Sequence, residues 1–154
     1  MNNYHIFKYY INAAHSADNQ MEHAHTHTFT IAFWIEQPAG GENLPFSQVD
    51  SMIEAFLQTY RGKYLNTEPD FIARNPTLEN IGEAVYDKME QKMKRNGLKL
   101  LQVEICENPL RVYSVSNQIL LPCAYANQLD KNWEKIIAMK QANMARSETE
   151  RSLS

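Results

Sequence analysis

Cysteine is nearly absent from this chain. Its 154 residues include only Cys106 and Cys123, too few for a disulfide framework, which reads as a reduced, cytoplasmic protein. Long apolar runs are missing as well. No stretch approaches the ~18 consecutive apolar residues of a membrane span, and the opening MNNYHIFKYY lacks the basic-then-apolar order of a signal peptide. There is no surplus of positive charge: 15 Lys and Arg stand against 18 Asp and Glu. The basic residues are scattered rather than gathered, which excludes nucleic acid and anionic membrane as expected partners. Histidine is absent from everything after residue 27, and no internal repeat runs at a solenoid period. What the chain does have is 44% apolar residues, enough to bury a core in one domain of ordinary size.

The apolar residues are ordered by period. Residues 4–15 read as a strand with Phe7, Tyr9, Ile11 and Ala13 on one face and His15 at its end. Residues 25–37 alternate cleanly, with His25, His27, Phe29, Ile31, Phe33 and Ile35 on one face and Thr26, Thr28, Thr30, Ala32, Trp34 and Glu36 on the other. After the turn-rich PAGGENLP, Ser47 is the expected cap of a helix whose stripe is Val49, Ile53, Phe56 and Leu57, stopping near Gly62. A long connection leads to Thr77, the expected cap of a second helix that Gly97 ends. GLKLLQVEICE, with Leu101, Val103, Ile105 and Glu107 on one face, and LRVYSVSNQILL read as two more strands; KNWEKIIAMKQANMARS reads as a C-terminal helix, with Trp133, Ile136, Ile137 and Met144 as an apolar strip. The order is strand, strand, helix, helix, strand, strand, an α+β class with two helices laid on one face of an antiparallel sheet.

The five histidines are His5, His15, His23, His25 and His27. Two histidines at i and i+2 on a strand point the same way, roughly 6–7 Å apart. That spacing suits two ligands of one ion with Zn–N distances of about 2 Å. His15, ending the core face of the first strand, can supply the third. Three imidazoles at the end of a core-facing surface would each need a partner if buried, and one divalent ion, zinc above all, satisfies them together while leaving a fourth position open. His23 has the right parity to stand in for His25, or else lies on the surface.

Four segments then carry a resemblance: INAAH, HTHTFTI, NPTLEN and VEICENPLRVY, in that order over about residues 5–117. They look like the motifs of the 6-pyruvoyl-tetrahydropterin synthase and 6-carboxy-tetrahydropterin synthase family. The resemblance implies a tunnelling fold over residues 1–127, a ββααββ unit whose copies close into a ring and stack as a hexamer, with 128–154 an appended C-terminal helix and frayed tail. It implies one zinc ion per subunit on His15, His25 and His27, beside a pocket for a pterin-like small molecule. Glu107 would anchor the amino-pyrimidine edge and Thr77 would help to hold the ring. Chemistry agrees on Glu107, because a carboxylate accepts two parallel N–H bonds and a lone buried one is costly; the plainer alternative is a strand-end Glu turned to solvent. Thr77 can equally be a helix cap and nothing more.

The sequence departs from the family in two places. The family's catalytic Cys precedes its HGH segment, yet Ala17–Ala24 reads ADNQMEHA, with Met21 where one branch has the Cys. The family's Asp-His pair in DH-x-x-LN has become Arg61 and Gly62, with only Leu65 and Asn66 matching. Arg61 could pair with Glu107 or bind an anionic group. Cys106 has the opposite parity from Glu107 and reads as structural. Proton transfer at the substrate side chain needs another acid or base; Glu22, three residues before His25, and His23 are the candidates, with Asp18 behind them. The expected function is a zinc-dependent lyase or aldolase-like enzyme acting on a reduced pterin, the alternative being an inactive homologue that binds metal and a pterin or purine.

Overall fold

The computed structural model describes residues 3–118, 120–121, 141–142 and 146. The chain divides into two units, Met1–Leu121 and Pro122–Ser154. In the second, Gln141, Ala142 and Arg146 are helical; the rest of the helix expected from Asp130 to Ser147, with its apolar strip, lies outside the described residues.

The first unit is a four-stranded antiparallel sheet with two helices between its strand pairs. Strand β1 (His5–His15) pairs with β2 (His25–Glu36) over their whole length, from His5 opposite Ile35 to His15 opposite His25. Helices α1 (Phe46–Leu57) and α2 (Leu78–Arg95) follow, then β3 (Lys99–Asn108) and β4 (Arg111–Val115). The order across the sheet is β1-β2-β3-β4. The expected ββααββ antiparallel architecture is therefore present. Among the described residues no helix is long and apolar enough to cross a membrane.

The period-two reading holds for the helix-facing side. Ile11, Ala13, Phe29, Ile31, Phe33 and Ile35 join Val49, Ile53, Leu57, Ile81, Val85 and Met89 in one core, with Phe7 and Tyr9 packed against it. The third strand departs from it. Leu100, not Leu101, joins that core, because the pairing slips between Trp34/Gln102 and Ile35/Leu100 and leaves Leu101 as an extra residue. The opposite side of the two central strands is buried too: Ala32, Trp34, Gln102 and Glu104 have no exposed surface. Two of its polar side chains are tied together, Gln102 Nε2 donating to Glu104 Oε1 at 3.3 Å and Ser114 Oγ to the same oxygen at 3.2 Å, while the buried Trp34 Nε1 has no partner among the described residues.

The helix ends show which local signals decided. Thr77 caps α2 as expected, its hydroxyl oxygen accepting the Asn80 N–H at 3.2 Å. Gly97, at φ 73°, ends the helix in a Schellman pattern: its N–H reaches Lys94 O at 3.2 Å and that of Leu98 reaches Met93 O at 3.0 Å. Ser47 does not cap α1. Pro45 holds the N-cap position with no side-chain bond, and Ser47 lies inside the helix; a proline there presets the entry angle by itself. The helix ends at Leu57, before Gly62. Gly62, at φ 74°, instead turns the chain so that its N–H donates to Asn12 O at 2.6 Å. With Ala14 N donating to Lys63 O at 2.8 Å, this lays the long connection along the free edge of β1.

Candidate metal centre

The pairing of β1 with β2 sets three imidazoles at one end of the hairpin. His15 lies directly across from His25, and Ala13 across from His27. Because the core alternation runs through Phe29 to this end, His15, His25 and His27 project from the helix-facing side. Their ring centroids are 5.1 Å (His15–His27), 5.7 Å (His25–His27) and 5.9 Å (His15–His25) apart. Two imidazoles bound to one tetrahedral zinc at a Zn–N distance of about 2.1 Å have centroids about 5.2 Å apart. The three rings thus already stand at nearly the spacing that a single ion requires. The ring of Phe29, 5.7 Å from His15 and 5.8 Å from His27, forms the floor.

The tautomer of His15 is set by its neighbour. Its Nδ1 lies 2.7 Å from the carbonyl oxygen of Pro76. A carbonyl only accepts, so Nδ1 carries the proton and Nε2 keeps its lone pair free for a metal. That same contact brings the start of α2 against the site. Thr77 itself is exposed and its hydroxyl is engaged in the cap, so its structural role is accounted for.

Among the described residues one set of three metal-capable side chains brings its donor atoms within 4.8 Å of one another: His15, His27 and Glu107, all partly buried. His25 is exposed and falls outside that set. Glu107 shares the face of Val103 and Ile105 and sits at a β-bulge. The β3–β4 pairing runs Cys106 with Val112 and then Asn108 with Arg111, leaving Glu107 unopposed, and such an extra residue re-aims its side chain. Among the described residues it pairs with one cation, Arg111, whose Nη1 is 4.0 Å from Glu107 Oε1 and which is itself mostly exposed.

The connection between His15 and His25 is held down from the other side. Asn66 Oδ1 accepts the Ser16 N–H at 2.9 Å, and Asn66 Nδ2 donates to Ser16 O at 2.9 Å and to Asn19 Oδ1 at 2.6 Å. Ser16 Oγ is 2.7 Å from Tyr64 OH, and Asn75 Nδ2 donates to Ala17 O at 2.8 Å. Asn66 belongs to the matched Leu-Asn pair, so the retained half of that motif acts as a clamp. In the loop so held, His23 Nδ1 is 2.5 Å from Asp18 Oδ2, and the hydrogen bond from His23 holds the Asp18 carboxyl below its ordinary value. Glu22 is exposed beside it. Sequence reasoning had weighed Asp18 only as a weak candidate base and had not paired it with His23; five residues apart across an irregular loop, the two follow no helix or strand spacing.

Arg61 and Cys106 are placed away from this chemistry. Arg61 donates to Glu54 at 3.0 Å and to Tyr10 O at 3.3 Å, so its partner is Glu54 and not Glu107. Cys106 is buried and hydrogen-bonded to the Thr30 hydroxyl, on the opposite side of the sheet as its parity required.

The sequence pattern of the 6-pyruvoyl tetrahydropterin synthases matches residues 4–118, well over half of the chain. The chain belongs to this family. Solved structures agree at the level of fold. The 6-pyruvoyl tetrahydropterin synthase of Caenorhabditis elegans superposes with a TM-score of 0.55 at 15% identity, covering 77% of this chain and 96% of that one. An uncharacterized protein of Wolinella succinogenes gives 0.59 at 12%, covering 77% and 99%. A glutamate-to-cysteine catalytic-residue mutant of the Plasmodium vivax 6-pyruvoyltetrahydropterin synthase gives 0.54 at 10%, again covering 77% and 99%. No curated protein sequence matches. The ββααββ order and the antiparallel sheet are thus those of the 6-pyruvoyl tetrahydropterin synthase fold, as the motifs implied.

Proposed function

We propose that this chain is a zinc-dependent enzyme of pterin metabolism, with lyase or aldolase-like action on the side chain of a reduced pterin. One observation carries the reading: three imidazole rings stand with centroids 5.1–5.9 Å apart, and two of them, His15 and His27, bring donor atoms within 4.8 Å of a partly buried Glu107 carboxylate oxygen. In this reading His15, His25 and His27 hold the zinc. Bound there, zinc polarises a hydroxyl or carbonyl oxygen of the substrate. Glu107 accepts the paired N–H groups of the amino-pyrimidine edge, and Thr77 borders the ring at the start of α2.

Proton transfer falls to the clamped loop. His23, oriented by Asp18 at 2.5 Å, and Glu22 are the groups beside His25 that can take or give a proton. A catalytic glutamate is named for the Plasmodium vivax relative, which supports a glutamate rather than a cysteine in this role. Among the described residues β1 and β4 are the edge strands, and pairing of such edges between copies, along the part of β1 that the 62–64 segment does not cover, is a physical route to the ring that the family implies.

A second reading keeps metal and ring recognition without turnover. It is favoured by Arg61 and Gly62 standing where the family has its Asp-His pair and by Arg61 being committed to Glu54. One experiment separates the two: zinc-loaded protein is incubated with dihydroneopterin triphosphate and with dihydroneopterin, and products are separated by chromatography. Turnover that falls at least tenfold in Glu22→Gln or His23→Gln supports the enzyme. Tight pterin binding, lost in Glu107→Ala and unaccompanied by any product, supports the binder.

A further inference from the structure

Resting on the metal reading above, we propose that Glu107 is itself a donor to the ion when no pterin is bound, and that the incoming ring must draw it away. The His15 and His27 donors and a Glu107 oxygen form the 4.8 Å set, from which His25 is absent. Two donors on one tetrahedral ion lie roughly 3.4 Å apart, so closing from within 4.8 Å takes at most about 1.4 Å of side-chain movement. Glu107 has the means to make it. It is the extra residue of a bulge, at the strand end just before the turn into β4. Among the described residues its one ion-pair partner, Arg111, sits at 4.0 Å with its side chain 77% exposed, too loosely held to neutralise a carboxylate whose own side chain is 18% exposed. A dication held between the two imidazole donors and this carboxylate would offset the carboxylate's charge directly.

The consequence is a competition within one site. The two oxygens of Glu107 that would accept a pterin's paired N–H groups are the same two that can ligate the ion. Ring binding therefore frees a coordination position at the moment the substrate arrives, and the ligand-free protein keeps its metal capped. Glu107 is thereby a metal ligand in one state and a ring anchor in the other.

The test uses the full-length protein loaded with Co²⁺, whose visible absorption reports coordination number and donor type, and with Zn²⁺ in competition against a chromophoric chelator. Glu107→Gln keeps the size of the side chain and removes the anionic donor. The expected result is Zn²⁺ binding weakened by at least about tenfold and a changed Co²⁺ spectrum. The wild-type protein supplies a second measurement that needs no variant: an infrared difference spectrum on adding Zn²⁺ should show the carboxylate stretch of a coordinated side chain. Metal binding by the wild type with unchanged affinity and spectrum in Glu107→Gln, or with no carboxylate shift, overturns this proposal and leaves the three-histidine reading standing. Failure of the wild type to bind either metal overturns both.

Discussion

Replacing Asn66 by alanine should be among the most damaging single changes near the site, although Asn66 is not a candidate ligand. Its amide makes three hydrogen bonds, two of them to the backbone N–H and C=O of Ser16, both at 2.9 Å. Ser16 is 1% exposed, so water does not reach those groups in the folded protein. Each buried backbone group left without a partner costs about 1–3 kcal/mol. The lower end applies if a water enters the space the amide vacates. The expected loss is therefore about 2–4 kcal/mol, with the Asn19 contact adding little at the surface. For a domain of this size that corresponds to a fall in Tm of roughly 6–15 °C.

The companion variant fixes the interpretation. Asn75→Ala removes a single bond, to the carbonyl of Ala17, an exposed residue, and should cost no more than about 1 kcal/mol. Urea unfolding followed by tryptophan fluorescence measures both. Since Ser16 follows His15 directly in the chain, Asn66→Ala should also weaken metal binding without touching a donor. A loss within about 0.5 kcal/mol of wild type, or a loss equal to that of Asn75→Ala, would refute the argument that the clamp on Ser16 holds the connection in place.

Other outcomes follow from the same coordinates. His15→Ala and His27→Ala should each weaken Zn²⁺ binding by at least about 100-fold in chelator competition, with His25→Ala the mildest of the three because its ring is exposed and outside the closest donor set. Gly82→Ala should destabilise the domain despite alanine's better helix propensity. A Cβ there meets Tyr113 at 2.8 Å and Ile105 at 2.9 Å, and overpacking of about 1–3 kcal/mol outweighs a propensity gain of about 1 kcal/mol; a thermal melt decides it, and an unchanged or raised Tm would show that β3 and β4 yield freely. Asp70 supplies a pH prediction. Burial raises its carboxyl, but hydrogen bonds from Lys88 and Tyr60 and the charges of Lys88 and Arg74 outweigh that and leave it below its ordinary value. A depressed folded-state value contributes stability above the unfolded carboxylate pKa of about 3.9 and loses it as pH falls through the folded value. The stability gap between wild type and Asp70→Asn, from urea unfolding, should thus be widest near neutral pH and narrow below about pH 4; a gap that stays constant would count against the ion pair with Lys88.

How much of this was legible in the sequence follows from how each feature is encoded. Strand alternation is local and strict, so the core face of β1 and β2 and the common side of His15, His25 and His27 could be read directly. Thr77 and Gly97 were legible for the same reason, since each acts within three residues of itself. Leu101 was misassigned because a bulge shifts parity, and nothing in LLQVEIC distinguishes a bulged from a regular strand. Ser47 was misassigned because a proline at position 45 already serves as the helix start. Glu107 was legible as a residue of the site from its parity with Val103 and Ile105; its carboxylate coming within 4.8 Å of the His15 and His27 donors was not, because that distance depends on the pairing of β3 across the sheet. The Asn66 clamp lies between these cases. Its sequence signal survives as a Leu-Asn pair within a motif whose reactive members are gone, and its meaning lies in the tertiary course of the segment, which runs along the edge of β1. Under the proposed function, a chain that keeps the clamp and the three clustered imidazoles while lacking the family's cysteine and Asp-His pair would retain the groups that position a ligand. In that reading, what the chain does with the ligand would turn on Glu22, His23 and Asp18, the groups in the loop that the clamp holds beside the candidate metal centre.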